Sequence, residues 1–338
     1  MTATEVIDPN VLQGWLSDAI GQPIERVELE LLPQGHANGA WRIVATIGTG
    51  PAESTRRLVL KAPRQPSIVH DLDPCREARV VDALGRAGAP VPSVVAIDQG
   101  TQAVGRPCFV MEWVDGRSVP DAWPNAYHDG WFLDAGADAQ RATWDSFHDA
   151  LAAVHRVELD ALATAYDGPR GALDVLGYWR AALLAVIDDT GVPRHLAVFD
   201  WLVDHVPPSA EAPPALCMGD ARLVNAIVDG SDVAALVDFE VAYVGNPIGD
   251  IGYSLFLERS HGHTAPLPGL PTEDETWARW STATGRELAD LDYWMAFGAT
   301  IIVVTATRAS VMWGPPDSFS EDHQGLLPLW ESVIEGAS

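Results

Sequence analysis

The sequence predicts an α+β chain of two lobes, a small one combining a sheet with an inserted helix and a larger one that is mostly helical. Three observations lead there. Apolar residues alternate at strand spacing before about residue 115, helical spacing dominates after it, and a single Asp-Gly hairpin interrupts the helices. At 338 residues and 47% hydrophobic composition, the chain can bury one large core or two moderate ones. The boundary is placed near Asp115-Gly116, giving lobes of residues 1–115 and 116–338.

Asp8-Pro9 reads as a cap followed by proline at the first helical position, and Leu12, Trp15, Leu16 and Ile20 continue at helical spacing until Gly21. Residues 27–31 then alternate as a half-buried strand, 35–39 turn, and 41–46 and 57–62 read as two further strands. Lys61 ends the third. Asp73-Pro74 caps a second helix to about Arg86, and 94–97 and 108–113 complete five strands. Beyond Ser118, helices are predicted near 140–156, 173–188, 195–205, 273–283 and 287–310. Between them, 226–228 and 233–237 flank Asp229-Gly230-Ser231, a tight-turn signal between apolar runs. The Pro-rich stretches 206–214 and 264–271 read as loops, and no internal repeat is evident.

Charge narrows the functional classes. The chain carries 47 acidic against 21 basic residues, a formal charge of -26. Without a concentrated basic stripe this repels nucleic acid and anionic lipid, so neither is expected as a partner. Residues 116–338 hold 33 of the acidic residues and 11 of the basic ones, so a cationic substrate would be steered to the second lobe; a solvated acidic surface explains the same charge. Cys75, Cys108 and Cys217 are too scattered for a disulfide framework or zinc knuckle, which fits a reducing, cytoplasmic setting. The N-terminus shows no signal core, and the apolar run 295–307 is short of a membrane span and reads as a buried helix.

The segment that carries chemistry is Met218-Gly219-Asp220-Ala221-Arg222-Leu223-Val224-Asn225, followed by the hairpin and by Val237-Asp238-Phe239-Glu240. In phosphoryl transfer such an Asp can orient and deprotonate the attacking hydroxyl, while the Asn carbonyl and a second Asp hold magnesium. Antiparallel pairing across Asp229-Gly230 lets Asn225 and Asp238 converge despite their separation. Taken singly, a loop Asp or Asn more often caps a helix or closes a turn. The upstream residues make the pattern specific. Lys61 is the only lysine among the 21 basic residues, and Glu77 follows sixteen positions later within the capped helix. A strand lysine held by a helix glutamate presents an ammonium to nucleotide phosphates.

These pieces run in one order across most of the chain: 35–38, 58–61, 76–78, Val91-Pro92, 109–112, 151–155, 219–225, 237–240, and 245–250. In that order the chain resembles the aminoglycoside phosphotransferase family, small-molecule kinases with a protein-kinase-like fold, especially members whose active loop reads Gly-Asp-x-Arg-x-x-Asn. The resemblance implies that Lys61 contacts nucleotide phosphates and Glu77 holds it. It implies that Gly35 and Asn38 belong to the phosphate-covering loop, and that Glu112 to Trp113 form the backbone hinge for adenine. Asp220 would be the catalytic base, Asn225 and Asp238 the metal ligands, and Asp250 a support for the catalytic loop. Two positions depart from the pattern. Met218 stands where the family usually has His, which fills space but loses hydrogen bonds, and the covering loop is poor in glycine with Ala37 where a hydroxyl is common.

The expectation is a kinase moving the terminal phosphate of ATP or GTP, with Mg2+, to a hydroxyl of a small molecule, aminoglycoside-like or otherwise cationic. The alternative is a noncatalytic nucleotide-binding regulatory protein of the same fold, suggested by Met218. Of other residues, His36 reads as a solvated turn residue and His155 as helix packing. Trp123 and Trp131 fall where a cleft could be lined, and His261 and His263 lack the partners of a metal site.

Overall fold

In the computed structural model the described residues are 7–32, 38–49, 53–63, 67–120, 130–261, 267–314, 320–321 and 325–337. Gly35, His36, Ala37, Trp123 and His263 lie outside them, and of Asn38 and His261 only the backbone is described.

Helix α1 (Pro9–Ile20) starts where the Asp8 carboxylate accepts from the Asn10 amide at 2.9 Å, and it stops at left-handed Gly21. Its Leu12 and Leu16 are wholly buried against the first sheet. That sheet contains β1 (Ile24–Leu31), β2 (Asn38–Ile47), β3 (Ser54–Pro63), β4 (Val94–Asp98) and β5 (Cys108–Glu112) in the order β1-β2-β3-β5-β4, with every pairing antiparallel. From Leu58 to Pro63 strand β3 is buried residue after residue, as a strand with neighbours on both edges and cover on both faces must be. Lys61 therefore starts from a fixed backbone. It pairs with Ala40 of β2 and Phe109 of β5.

Helix α2 (Pro74–Arg86) begins at Asp73, whose side chain accepts from the Cys75 amide. Its Ala78 joins the apolar cluster of β3 and β5, while Val80, Val81, Ala83 and Leu84 join the core of the helical part. This one helix thus packs against both the sheet and the helical part.

The helical part contains α3 (Trp131–Asp134), α4 (Ala137–His155), α5 (Gly171–Leu184), α6 (Pro193–Asp204), α7 (Ile248–His261), α8 (Glu273–Thr284), α9 (Leu291–Trp313) and α10 (Leu326–Ala337). Two small antiparallel sheets are set into it, β6 (Ala215–Cys217) with β9 (Tyr243–Gly245), and the hairpin β7 (Ala226–Asp229) with β8 (Asp232–Leu236). The hairpin falls where Asp229-Gly230 predicts it, with Gly230 at φ 63. The β6–β9 pair, α7 and α10 are not predicted by the sequence pattern.

One glycine on α7 and one on α9 let these helices approach at backbone distance. A Cβ on Gly252 would lie 2.5 Å from the Trp294 carbonyl, and one on Gly298 would lie 2.3 Å from the Gly249 carbonyl. The apolar run 295–307 is a buried helix as expected, but its helix is longer than the run. By length and composition Leu291–Trp313 could cross a membrane, whereas 67% of its apolar window is buried inside the protein.

Candidate functional site

The site forms where the first sheet, α2 and the loops around the hairpin meet. Lys61 Nζ lies 2.6 Å from Glu77 Oε1 and also donates to Asp238 Oδ1. Its side chain is 4% exposed and that of Asp238 is 33% exposed, so the ammonium reaches from the buried sheet to a partly exposed carboxylate. Asp238 follows Val237, whose amide donates to the Asn225 carbonyl at 2.9 Å as the strands close. At φ 68 Asp238 occupies the left-handed region, at a cost of ~1–3 kcal/mol in a residue that bonds Lys61.

Asp220 sits on the loop between β6 and the 3-10 turn Leu223–Asn225. Gly219 before it, at φ +84, passes so near Val241 that a Cβ would lie 2.3 Å from that carbonyl. Asn225 Nδ2 donates to the Asp220 carbonyl at 3.0 Å and to Asp220 Oδ2 at 2.8 Å. Arg222 Nε donates to the same Oδ2 at 3.1 Å, and the Tyr253 phenol donates to Oδ1. With its amide nitrogen directed at Asp220, Asn225 keeps Oδ1 available to a cation.

Asp250, at the start of α7, supports this loop from below. Its Oδ2 accepts the Met218 amide at 2.6 Å and its Oδ1 the Gly219 amide at 2.9 Å. His155 Nε2 lies 3.0 Å from Asp250 Oδ2, and Trp280 Nε1 donates to His155 Nδ1 at 2.9 Å. Because Nδ1 accepts, Nε2 carries the proton and donates to Asp250. His155 is therefore more than the packing residue the sequence suggests. Met218 is fully buried, and its backbone rather than its side chain makes the bracing contact.

The electrostatics are those of excess negative charge. Burial opposes a charged Lys61, but Asp238, Glu77 and Glu240 outweigh it and raise the ammonium above its ordinary range. Burial raises the Glu77 carboxyl, with Lys61 opposing. Burial also pushes Glu240 up to about 8, opposed by Lys61 and reinforced by Asp238, Glu77 and Asp220. A divalent cation held here would relieve this crowding. Among the described residues no three His, Cys, Asp or Glu are grouped as a metal site. The donor set instead fits magnesium, which takes one or two protein oxygens, here from Asp238 and Asn225, and fills its shell with phosphate and water.

The expected adenine hinge falls on residues whose amides are bonded within the sheet. The Glu112 amide donates to the Ser93 carbonyl at 2.9 Å and the Trp113 amide to the Arg57 carbonyl at 3.1 Å, so both amides are already engaged by the sheet. The Glu112 side chain is paired with Arg56. A base would have to use carbonyl oxygen here, or amides beyond Trp113. Trp131 donates from Nε1 to the Ser118 carbonyl and lies under the Arg117 guanidinium at 3.9 Å. Sequence reasoning assigned no role to Tyr253 or Glu240; Glu240 at least stood in a segment already singled out, whereas nothing local marked Tyr253.

The profile of the phosphotransferase enzyme family matches residues 28–290, and the chain belongs to that family. A Ralstonia eutropha structure, provisionally assigned as an aminoglycoside phosphotransferase, superposes with a TM-score of 0.73 at 21% identity, covering 98% of this chain and 99% of that one. A thermostable mutant of aminoglycoside phosphotransferase APH(4)-Ia, in ternary complex with AMP-PNP and hygromycin B, superposes with a TM-score of 0.60 at 16% identity, covering 96% and 97%. At these identities the likeness shows the fold, a protein-kinase-like arrangement of antiparallel sheet and helical part. Among curated proteins, acyl-CoA dehydrogenase family member 10 of Mus musculus is 27% identical over 293 residues, covering 81% of this chain and 24% of that protein. The chain thus spans about a quarter of that relative's length.

Proposed function

We propose that the protein is a magnesium-dependent kinase that moves the terminal phosphate of ATP or GTP to a hydroxyl of a small molecule. The observation that carries this reading is the Val237 amide bonding the Asn225 carbonyl, which sets the Lys61–Glu77–Asp238 cluster beside the Asn225–Asp220 pair. Lys61 binds the nucleotide phosphates and Glu77 keeps its ammonium in place. Asn225 and Asp238 hold magnesium, which when bound neutralises phosphate charge. Asp220 orients the acceptor hydroxyl and takes its proton. Met218 weakens this reading little, because Asp250 braces the loop through the backbone amides of 218 and 219.

Two acceptor classes have support. The acidity of residues 116–338 favours a cation such as an amino sugar. The mouse relative is named as an acyl-CoA dehydrogenase family member, which favours a hydroxylated acyl thioester. Mass spectrometry of both classes, incubated with the protein and magnesium ATP or GTP, tests the proposal. A product heavier by one phosphate, absent with Asp220→Asn, is expected. Nucleotide binding without any product across the panel would favour the noncatalytic alternative.

A further inference from the structure

We propose that Tyr253 is a positioning residue for phosphoryl transfer, its phenol aiming the Asp220 carboxylate at the incoming hydroxyl. The inference rests on Asp220 acting as the base and deepens that reading. Tyr253 and Asp250 stand three residues apart on α7, hence on one face of the helix. Asp250 takes the amides of the catalytic loop, and Tyr253 takes the side chain that the loop presents. One helix thereby fixes both the path of the loop and the torsion of the carboxylate.

The two carboxylate oxygens are used unequally. Oδ2 accepts from both Asn225 Nδ2 and Arg222 Nε, whereas Oδ1 accepts from the Tyr253 hydroxyl. A carboxylate oxygen has two lone-pair sites, so Oδ1 keeps one for a further donor. Tyr253 is 3% exposed while the Asp220 side chain is 23% exposed, so the phenol contacts the carboxylate from the protein side and leaves its other side to solvent. An acceptor hydroxyl approaching from the solvent side donates to Oδ1. As its oxygen bonds to the terminal phosphorus, the bond from phosphorus to the nucleoside diphosphate breaks and the hydroxyl proton passes to Oδ1. Tyr253 keeps its own proton throughout. Without the phenol, the broad carboxylate torsion is no longer pinned on the Oδ1 side.

Tyr253→Phe removes only the hydroxyl and keeps the buried ring. The test uses magnesium ATP with water as the acceptor, following nucleotide hydrolysis, nucleotide binding by calorimetry and thermal unfolding in parent and variant. The expected result is a kcat about tenfold lower, the scale of one net hydrogen bond, with the nucleotide KM within about twofold and unfolding little changed. An unchanged kcat, or a fall matched by an equal loss of nucleotide affinity, would overturn the role of Tyr253 while leaving the proposed function standing. A parent that binds nucleotide yet neither hydrolyses it nor phosphorylates any acceptor of the panel would withdraw the proposed function and the Tyr253 role together.

Discussion

At Lys61 a single buried ammonium meets Glu77 and Asp238, with Glu240 close enough to add its field. Lys61→Met would leave Glu77 buried beside no cation, and burial already raises its carboxyl, so Glu77 is expected to take a proton rather than unfold the sheet. Calorimetry should then show magnesium-nucleotide affinity at least about tenfold weaker, with circular dichroism unchanged. Gly219→Ala should cost ~1–3 kcal/mol in chemical denaturation, because the new methyl meets the Val241 carbonyl in a left-handed backbone. His148 gives a pH signature. Burial holds its imidazole down to about 4 against an ordinary 6.5; its Nδ1 bonds the Trp144 carbonyl and its Nε2 has no partner. Below pH 6.5 the unfolded chain takes this proton before the folded one, so stability falls between about 6.5 and 4, by up to about 3 kcal/mol. His148→Phe should flatten that limb in unfolding curves measured across this range. In the sequence Lys61 was legible because no other lysine exists and Asn225 because it follows Asp220 by five positions. Tyr253 was not, since its meaning depends on a helix crossing beneath a loop thirty-three residues away.

At the level of elements, the segment between β3 and α2 is tied to the helical part. Arg308 of α9 donates from Nε to the Ile68 carbonyl at 2.5 Å and from its other side to the Ala182 carbonyl, while the Tyr178 phenol of α5 donates to the His70 carbonyl. Ile68 and Val69 pack with Val241, next to Glu240. The segment then runs directly into the Asp73 cap of α2, so α5 and α9 help to set where Glu77 meets Lys61. Arg308→Met leaves buried carbonyls without donors and should lower both the melting temperature and nucleotide affinity, read by thermal unfolding and calorimetry. A loss of stability with nucleotide affinity intact would separate this tether from the site. The five strands, α1, α2 and the hairpin were legible because each joins a clear period to a cap or turn residue. Helix α7 was hidden by its own burial, since Ile248 to Leu257 are buried on every side and leave no 3.6-residue stripe to read. The short β6–β9 pair has three residues per strand, too few for alternation to register.

Across the whole molecule, α2 packs against both the sheet and the helical part, and its Glu77 meets Lys61 between them. Asp220, Asn225 and Asp238 come from the helical part and Lys61 from the sheet, so the site exists only when the two are apposed. Charge excess at this junction makes magnesium the natural complement of the nucleotide. The most direct test is calorimetric titration of ATP in magnesium and in EDTA, for the parent and for Asp238→Asn. An affinity that depends on magnesium in the parent and loses that dependence in Asp238→Asn is expected; binding of equal strength with and without the metal, or an unaltered magnesium dependence in Asp238→Asn, would contradict the site described.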